Sequence, residues 1–124
     1  MLVVDDEDGV CRLVASVFAR AGWTVLTAAS VTRALDVLKA RSPIDLVICD
    51  VAMRPAGGLE LARFIHALSS RSAPTLVFQT GSEGPEVAPI RDMGYDVLLK
   101  PGSLRALETL AGSHRLASAV RQEE

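Results

Sequence analysis

The chain has 124 residues, of which 49% are hydrophobic and 23% charged, which are the size and composition of one globular domain. Its 13 basic and 15 acidic residues give a net charge of -2 without a Lys/Arg cluster, which argues against direct binding to nucleic acid or an anionic membrane. No segment approaches the roughly 20 apolar residues that cross a bilayer, and Met1 to Asp6 does not resemble a secretory signal. We therefore expect a cytoplasmic protein with a single domain over residues 1–124.

Short apolar runs alternate with longer segments of helical periodicity, a pattern typical of βαβ units around a parallel sheet. The runs are continuously apolar, which indicates strands that helices cover on both faces. The predicted strands are Leu2 to Val4, Thr24 to Thr27, Asp45 to Cys49, Thr75 to Gln79 and Val97 to Leu99.

The first three helices have clear signals in the segments between these strands. Val10 to Phe18 carries apolar residues at helical spacing, and Gly22 is the residue type favoured just beyond a helix end. Ser30 is the predicted N-cap of the second helix. The third helix is predicted to cover Leu59 to Leu68.

The last two helices have less regular signals. The fourth, within Ser82 to Met93, is expected to be short because Pro89 falls in its first turns and removes a backbone donor. Ser103 is the predicted cap of the fifth helix, with Leu107 and Leu110 facing the sheet. The two isolated cysteines of the chain are too few for a disulfide framework and are expected in the core.

Polar residues end the predicted strands. In an open parallel sheet the carboxyl ends of the strands form the edge where ligands bind. Carboxylates 4 Å apart repel by on the order of 4 kcal/mol per pair at an effective dielectric near 20, so a cation is needed there. Mg²⁺ suits one or two carboxylates, a backbone carbonyl and a phosphate oxygen. The residues at this edge are Asp5, Asp6, Asp50, Thr80 and Lys100.

The same residues favour phosphoryl transfer, because an aspartate can act as a nucleophile and form an aspartyl phosphate. Lys100 would offset the phosphate charge, and the Thr80 hydroxyl would donate to a phosphoryl oxygen. The sequence has no Gly-rich phosphate loop and no Ser-His-Asp set, and His66 and His114 lie in helical segments away from this edge.

Four motifs occur in a fixed order along nearly the whole chain. They are the run Leu2 to Glu7, Asp50 followed by Met53 and Gly58, the Thr80-Gly81 step, and the Lys100-Pro101 pair. Together they resemble the receiver domain of two-component response regulators, the CheY-like superfamily. The resemblance implies an α/β flavodoxin-like (βα)5 sandwich of three layers, with a parallel sheet of order 2-1-3-4-5.

The resemblance also implies roles for the residues at the edge of the sheet. Asp50 would be the phosphoacceptor in a Mg²⁺-dependent reaction, Thr80 the switch hydroxyl and Lys100 the partner of the phosphate. Lys100-Pro101 would be a candidate cis peptide, because an X-Pro bond is the only common setting for one.

The implied Mg²⁺ site combines side-chain and backbone oxygens. Asp6 and Asp50 would be ligands, and Asp5 would act largely through water. The backbone carbonyl of Ala52 would complete the protein ligands.

The resemblance implies a signalling phosphoacceptor that assists its own phosphorylation and dephosphorylation, rather than an enzyme. A histidine kinase or a histidine phosphotransfer protein would supply the phosphoryl group, and phosphorylation would shift an equilibrium between two conformers. The domain is either free-standing or part of a larger regulator or hybrid kinase. The downstream protein or output domain stays unidentified, and a weak homodimer stays open.

Some positions depart from the family pattern. Arg54 and Val97 stand where the family usually has proline and an aromatic residue, and the segment of the fourth helix carries Pro85 and Pro89. These departures motivate an alternative, a pseudoreceiver that is not phosphorylated and serves as a protein-interaction module. A Mg²⁺-dependent phosphohydrolase ranks last, because enzymes resembling the haloacid dehalogenases place two acids at a spacing of two, whereas the acids after the first strand here are adjacent.

Overall fold

The structure is a computed structural model that describes residues 1–40, 43–67, 73–81, 83–100 and 105–112. Strands and helices alternate along the described chain, as the hydrophobic pattern predicts. The strands are β1 (Leu2–Val4), β2 (Leu26–Ala28), β3 (Leu46–Asp50), β4 (Thr75–Thr80) and β5 (Asp96–Leu99), and the helices are α1 (Asp8–Arg20), α2 (Val31–Ala40), α3 (Gly58–Ala67), α4 (Val87–Asp92) and α5 (105–112).

The five strands form one parallel sheet of order β2-β1-β3-β4-β5, which confirms the predicted flavodoxin-like fold. In the register of the central strands, Val4 pairs with Cys49 and Asp50 pairs with Gln79. Parallel strands point the same way, so the carboxyl ends of β1, β3, β4 and β5 meet at one edge. That edge holds the predicted site.

Two hydrophobic clusters cover the two faces of the sheet, as expected for a three-layer sandwich. Phe78 and Leu61 are fully buried in the cluster beneath α2, α3 and α4. Phe18 and Leu107 are almost fully buried in the cluster beneath α1 and α5. Each such side chain contributes roughly 1.5–3 kcal/mol by its removal from water. The packing of both faces therefore holds the strand ends in place.

Both cysteines are buried, as predicted. Cys11 packs in the cluster beneath α1 and α5, and Cys49 packs in the other cluster. They therefore lie on opposite faces of the sheet.

Several strand boundaries differ from the predicted ones. β2 begins at Leu26 rather than Thr24, because its pairing with β1 starts where Leu26 lies opposite Leu2. β3 and β4 each extend one residue farther, to Asp50 and Thr80. Pairing with the neighbouring strand decides where a strand ends, and this pairing is not visible in local composition.

The predicted end of the first helix and the predicted start of the second are confirmed. Gly22 follows the C-cap Ala21 of α1 with a φ of 93°, a conformation that glycine adopts at little cost. At the start of α2, the Arg33 backbone N–H donates to the Ser30 hydroxyl over 3.1 Å. Ser30 is therefore the N-cap of that helix.

The fourth helix is short, as predicted, but Pro89 does not remove a helical hydrogen bond. Pro89 is the third residue of α4, and N–H groups in the first turn have no partner within the helix in any case. The missing backbone N–H of Pro89, which the sequence suggested would shorten the helix, therefore costs no hydrogen bond within α4.

The fifth helix packs on the sheet through Leu107, which is buried, and Leu110, which is partly buried. Its predicted cap, Ser103, lies outside the described residues. None of the helices in the described part of the chain has the length and apolarity that crossing a membrane requires.

Candidate functional site

Three aspartates converge at the carboxyl edge of the sheet. One oxygen from each of Asp5, Asp6 and Asp50 lies within 4.8 Å of the others. Asp5 follows β1 and Asp50 ends the adjacent β3, so the pairing of these two strands brings Asp5 and Asp50 together. Asp5 and Asp50 are only 3% and 6% exposed, whereas Asp6 faces solvent. The cluster is therefore open to solvent on one side.

Lys100 reaches into this cluster from the end of β5. Its Nζ donates to Asp5 Oδ2 at 3.0 Å and to Asp50 Oδ1 at 3.4 Å. Its backbone N–H donates to the Thr80 carbonyl at 2.8 Å, which extends the pairing of β4 and β5 by one residue. The structure thus brings together Lys100, Asp5 and Asp50, which are far apart in the sequence.

The electrostatics of the cluster follow from its burial and its charges. Burial raises the pKa of Asp50, the charge of Asp5 raises it further, and Lys100 only partly opposes them. Burial lowers the pKa of Lys100, but the Asp5 hydrogen bond and the Asp50 charge outweigh it, so the net shift is upward. Lys100 therefore stays protonated at neutral pH. One ammonium faces three carboxyl groups, which leaves an excess of negative charge suited to a cation.

Asp5 is held by hydrogen bonds at both of its oxygens. The Glu7 backbone N–H donates to Asp5 Oδ1 at 2.9 Å, and Lys100 binds Oδ2. These two contacts fix the orientation of the carboxylate.

Thr80 ends β4 at the same edge and is 3% exposed. The strand partner of Asp50 is Gln79, so Thr80 lies one residue farther along the neighbouring strand. The backbone of β4 is tied to both sides of the site, because the Gln79 carbonyl accepts the Val51 N–H and the Thr80 carbonyl accepts the Lys100 N–H.

Gln79 is a buried polar residue that the sequence interpretation missed. It is 3% exposed and lies beside the phosphoacceptor candidate Asp50 in the adjacent strand. The signal that could have found it is a glutamine inside an otherwise apolar run that leads to the edge of the sheet.

The loop between β3 and α3 carries Ala52, which is exposed. The Gly58 backbone N–H donates to the Val51 carbonyl at 2.9 Å and closes this loop. The Arg54-Pro55 peptide bond is cis. The bond predicted to be cis, Lys100-Pro101, includes a residue outside the described part of the chain.

Tyr95 lies near Val97 in the structure, and both pack on the face beneath α2, α3 and α4. The Tyr95 ring meets Phe78 edge-on, with ring centroids 5.9 Å apart, and meets the exposed His66 with centroids 6.5 Å apart. An aromatic ring therefore occupies this face two residues before the position where the family usually has one.

Comparisons with known proteins identify the family of this chain and match its fold. The sequence model of the family described as the response regulator receiver domain matches residues 1–111. The chain belongs to the response regulator receiver family. This receiver is 36% identical over 102 residues to the Regulator of RpoS of Escherichia coli strain K12, which covers 82% of the chain and 30% of that protein. The receiver thus spans less than a third of that relative's length.

Solved receiver structures show the same architecture. A response regulator receiver protein from Pseudomonas putida is 30% identical, with a TM-score of 0.74 over 86% of this receiver and 91% of that chain. A CheY-like receiver domain from Methanospirillum hungatei JF-1 is 22% identical, with a TM-score of 0.79 over 99% and 96% of the two chains. At 22% identity, the similarity to the Methanospirillum hungatei domain concerns the fold alone.

Receiver domains bind Mg²⁺ at an acidic pocket, and the aspartate cluster of this receiver fits such an ion. Its donors are carboxylate oxygens, which Mg²⁺ prefers, and they lie close enough to share one ion.

Proposed function

We propose that this receiver accepts a phosphoryl group on Asp50 in a Mg²⁺-dependent reaction, and that phosphorylation shifts an equilibrium between two conformers. The observation that carries the proposal is the position of the Asp50 carboxylate. Asp50 is the last residue of the central strand β3, and its carboxylate contacts the Lys100 ammonium. One of its oxygens lies within 4.8 Å of an oxygen of Asp5 and of Asp6.

Asp50 is the nucleophile in this reaction. One of its carboxylate oxygens forms a bond to phosphorus, while the bond between phosphorus and a nitrogen of the donor histidine breaks. Bound Mg²⁺ offsets the negative charge of the carboxylates and of the phosphoryl oxygens.

Each acid would hold the ion in its own way. Asp6, which is exposed, would bind it directly, together with Asp50 and the backbone carbonyl of Ala52. Asp5 acts largely through water, because both of its oxygens already accept hydrogen bonds from Glu7 and Lys100.

Lys100 and Thr80 respond to the new phosphate. The Lys100 ammonium, already 3.4 Å from Asp50 Oδ1, offsets phosphoryl charge as a mobile point charge. The Thr80 hydroxyl donates to a phosphoryl oxygen from the end of β4. The phosphate shifts the equilibrium only to the extent that these contacts differ between the two conformers.

A histidine kinase or a histidine phosphotransfer protein supplies the phosphoryl group, as for response regulators in general. This chain acts as a signalling phosphoacceptor over a single domain of residues 1–124. The downstream partner is a protein or an output domain.

The test is intact-mass spectrometry after incubation with acetyl phosphate, with and without Mg²⁺. We expect one phosphoryl adduct on the unmodified receiver in Mg²⁺ and none on Asp50→Asn. Asp36→Asn is the matched control, because Asp36 lies exposed on α2 and its substitution removes the same charge. No adduct on the unmodified chain, together with no Mg²⁺ binding, would overturn the proposal and favour the pseudoreceiver alternative.

A further inference from the structure

Two consecutive glycines lie directly against the backbone that follows β3. A Cβ atom added to Gly57 would lie 2.7 Å from the Val51 carbonyl oxygen and 3.2 Å from that of Met53. A Cβ added to Gly58 would lie 3.0 Å from the Asp50 carbonyl oxygen and 2.9 Å from the Phe78 ring. We call Gly57 and Gly58 the glycine step. A side chain on either residue would displace the backbone of residues 50–53.

Hydrogen bonds hold the glycine step in place. The Gly57 backbone N–H donates to the Glu60 carboxylate at 2.8 Å, and the Gly58 N–H donates to the Val51 carbonyl at 2.9 Å. Glu60 lies in the first turn of α3, so the first bond ties Gly57 to that helix. The glycine step therefore transmits the position of α3 to the loop that carries Ala52.

Contact with the backbone distinguishes the glycine step from Gly84, whose added Cβ would meet the flexible Glu86 carboxylate at 3.0 Å. Nothing lies within 4 Å of the Cβ that Gly9, Gly81 or Gly112 would carry. These three residues are also glycines, but the space around each of them is open. Gly9, on α1, is a suitable control because an alanine there meets no atom.

We propose that the glycine step positions the backbone of residues 50–53 and thereby sets the affinity and ion selectivity of the metal site. This inference rests on the proposed Mg²⁺ site. Three of the four carbonyl oxygens in residues 50–53 lie within 3.2 Å of the missing Cβ atoms, those of Asp50, Val51 and Met53. Covalent bond lengths along the chain are fixed, so a displacement of the Val51 and Met53 carbonyls also moves the peptide unit of Ala52 between them.

Ion selectivity follows from how strictly each ion requires its geometry. Mg²⁺ demands a near-ideal octahedron with short bonds, whereas Ca²⁺ accepts longer bonds and irregular arrangements. A shift of the backbone by a few tenths of an ångström therefore weakens Mg²⁺ binding more than Ca²⁺ binding. A general loss of stability would not change the ratio of the two affinities in this way.

The experiment is calorimetric titration of the full chain with Mg²⁺ and, separately, with Ca²⁺. For Gly57→Ala we expect the Mg²⁺ dissociation constant to rise by about tenfold or more, which is the scale of changes around metal ligands. We expect a smaller rise for Ca²⁺, so the ratio of the two constants changes. Gly9→Ala should keep both constants of the unmodified chain.

A second pair of variants leaves the glycines intact. Glu60→Ala and Glu60→Gln remove the same charge, but only glutamine keeps an oxygen that can accept the Gly57 N–H. Glu60 is exposed, so neither change disturbs the core. We expect Glu60→Ala to weaken Mg²⁺ binding several-fold and Glu60→Gln to stay close to the unmodified chain.

The outcomes separate this inference from the proposed function. If the unmodified chain binds Mg²⁺ and Gly57→Ala binds both ions with unchanged constants, the inference is wrong and the proposed function stands. If Gly57→Ala does not fold, the Glu60 pair decides, and equal constants for its two members overturn the inference. A failure of the unmodified chain to bind Mg²⁺ overturns the proposed function, and the inference with it.

Discussion

At the scale of single residues, the site keeps charges that the fold alone would not favour. Asp50 is buried beside Asp5, and both burial and that neighbouring charge raise the pKa of Asp50. Lys100 offsets part of this repulsion through its contacts with both acids. Functional sites commonly hold such groups at a cost in stability.

We predict that Asp50→Asn stabilises the metal-free protein by on the order of 1 kcal/mol at neutral pH, a typical size for one substitution. Because the folded state raises the pKa of Asp50, ionisation of this group opposes folding. The stabilisation should therefore appear as pH rises above the ordinary aspartate value and vanish in more acidic solution. Urea unfolding in the presence of a chelator, at several pH values, measures it.

Asp36→Asn is the control for this prediction, because its carboxylate is exposed on α2. It should change the free energy of unfolding by less than about 0.5 kcal/mol, as surface substitutions usually do. Equal effects of the two substitutions at every pH would contradict the assignment of a repulsive site around Asp50.

At the scale of elements, local signals located the helices well and the strand ends poorly. Gly22 and Ser30 mark helix ends through their own backbone conformation or side chain, so the sequence predicts them. β2 begins two residues later than predicted, because its start depends on pairing with β1. Helix caps are local features, whereas strand limits depend on a neighbouring strand.

We predict that Ser30→Ala lowers the free energy of unfolding by about 1 kcal/mol, because it removes the acceptor of the Arg33 N–H at the start of α2. Ser16→Ala is the control. Its hydroxyl donates to the Leu13 carbonyl within α1, where such a bond does not stabilise the helix and alanine has the better propensity. Urea unfolding of both variants checks the prediction, and an equal loss for both would contradict the capping role of Ser30.

At the scale of the whole molecule, the proposed metal connects parts of the chain that the sheet brings together. Asp5, Asp6 and Asp50 come from the ends of two adjacent strands, and Ala52 comes from the loop that follows. An ion bound by these groups would bind the folded chain and not the unfolded one. Such a ligand raises the free energy of unfolding, and above its dissociation constant the gain grows with the logarithm of the ligand concentration.

We predict that Mg²⁺ at 100 times its dissociation constant raises the free energy of unfolding by about 2.7 kcal/mol. Trp23, the one tryptophan in the sequence, reports unfolding by fluorescence, because it packs edge-on against Phe18 and donates to the Ala111 carbonyl. Asp50→Asn should gain much less from Mg²⁺, and Asp36→Asn should gain as much as the unmodified chain. A gain independent of Asp50 would place the ion elsewhere.

The sequence by itself determined the fold class and most of the candidate site. The apolar runs and helical periodicities predict the alternating strands and helices, and Asp5, Asp50 and Lys100 follow those runs directly. The edge of a parallel sheet then brings strand-end residues together by geometry alone. These features depend on patterns of residue type along the chain, which is the information that a sequence contains.

Only the tertiary structure decided how these residues meet. It placed Lys100 closer to Asp5 than to Asp50, packed the glycine step against the backbone after β3, and buried Gln79 beside the site. Each of these contacts joins segments that are separate in the sequence or depends on distances of a few tenths of an ångström. Such contacts arise from the close packing of the whole chain, which no local pattern specifies.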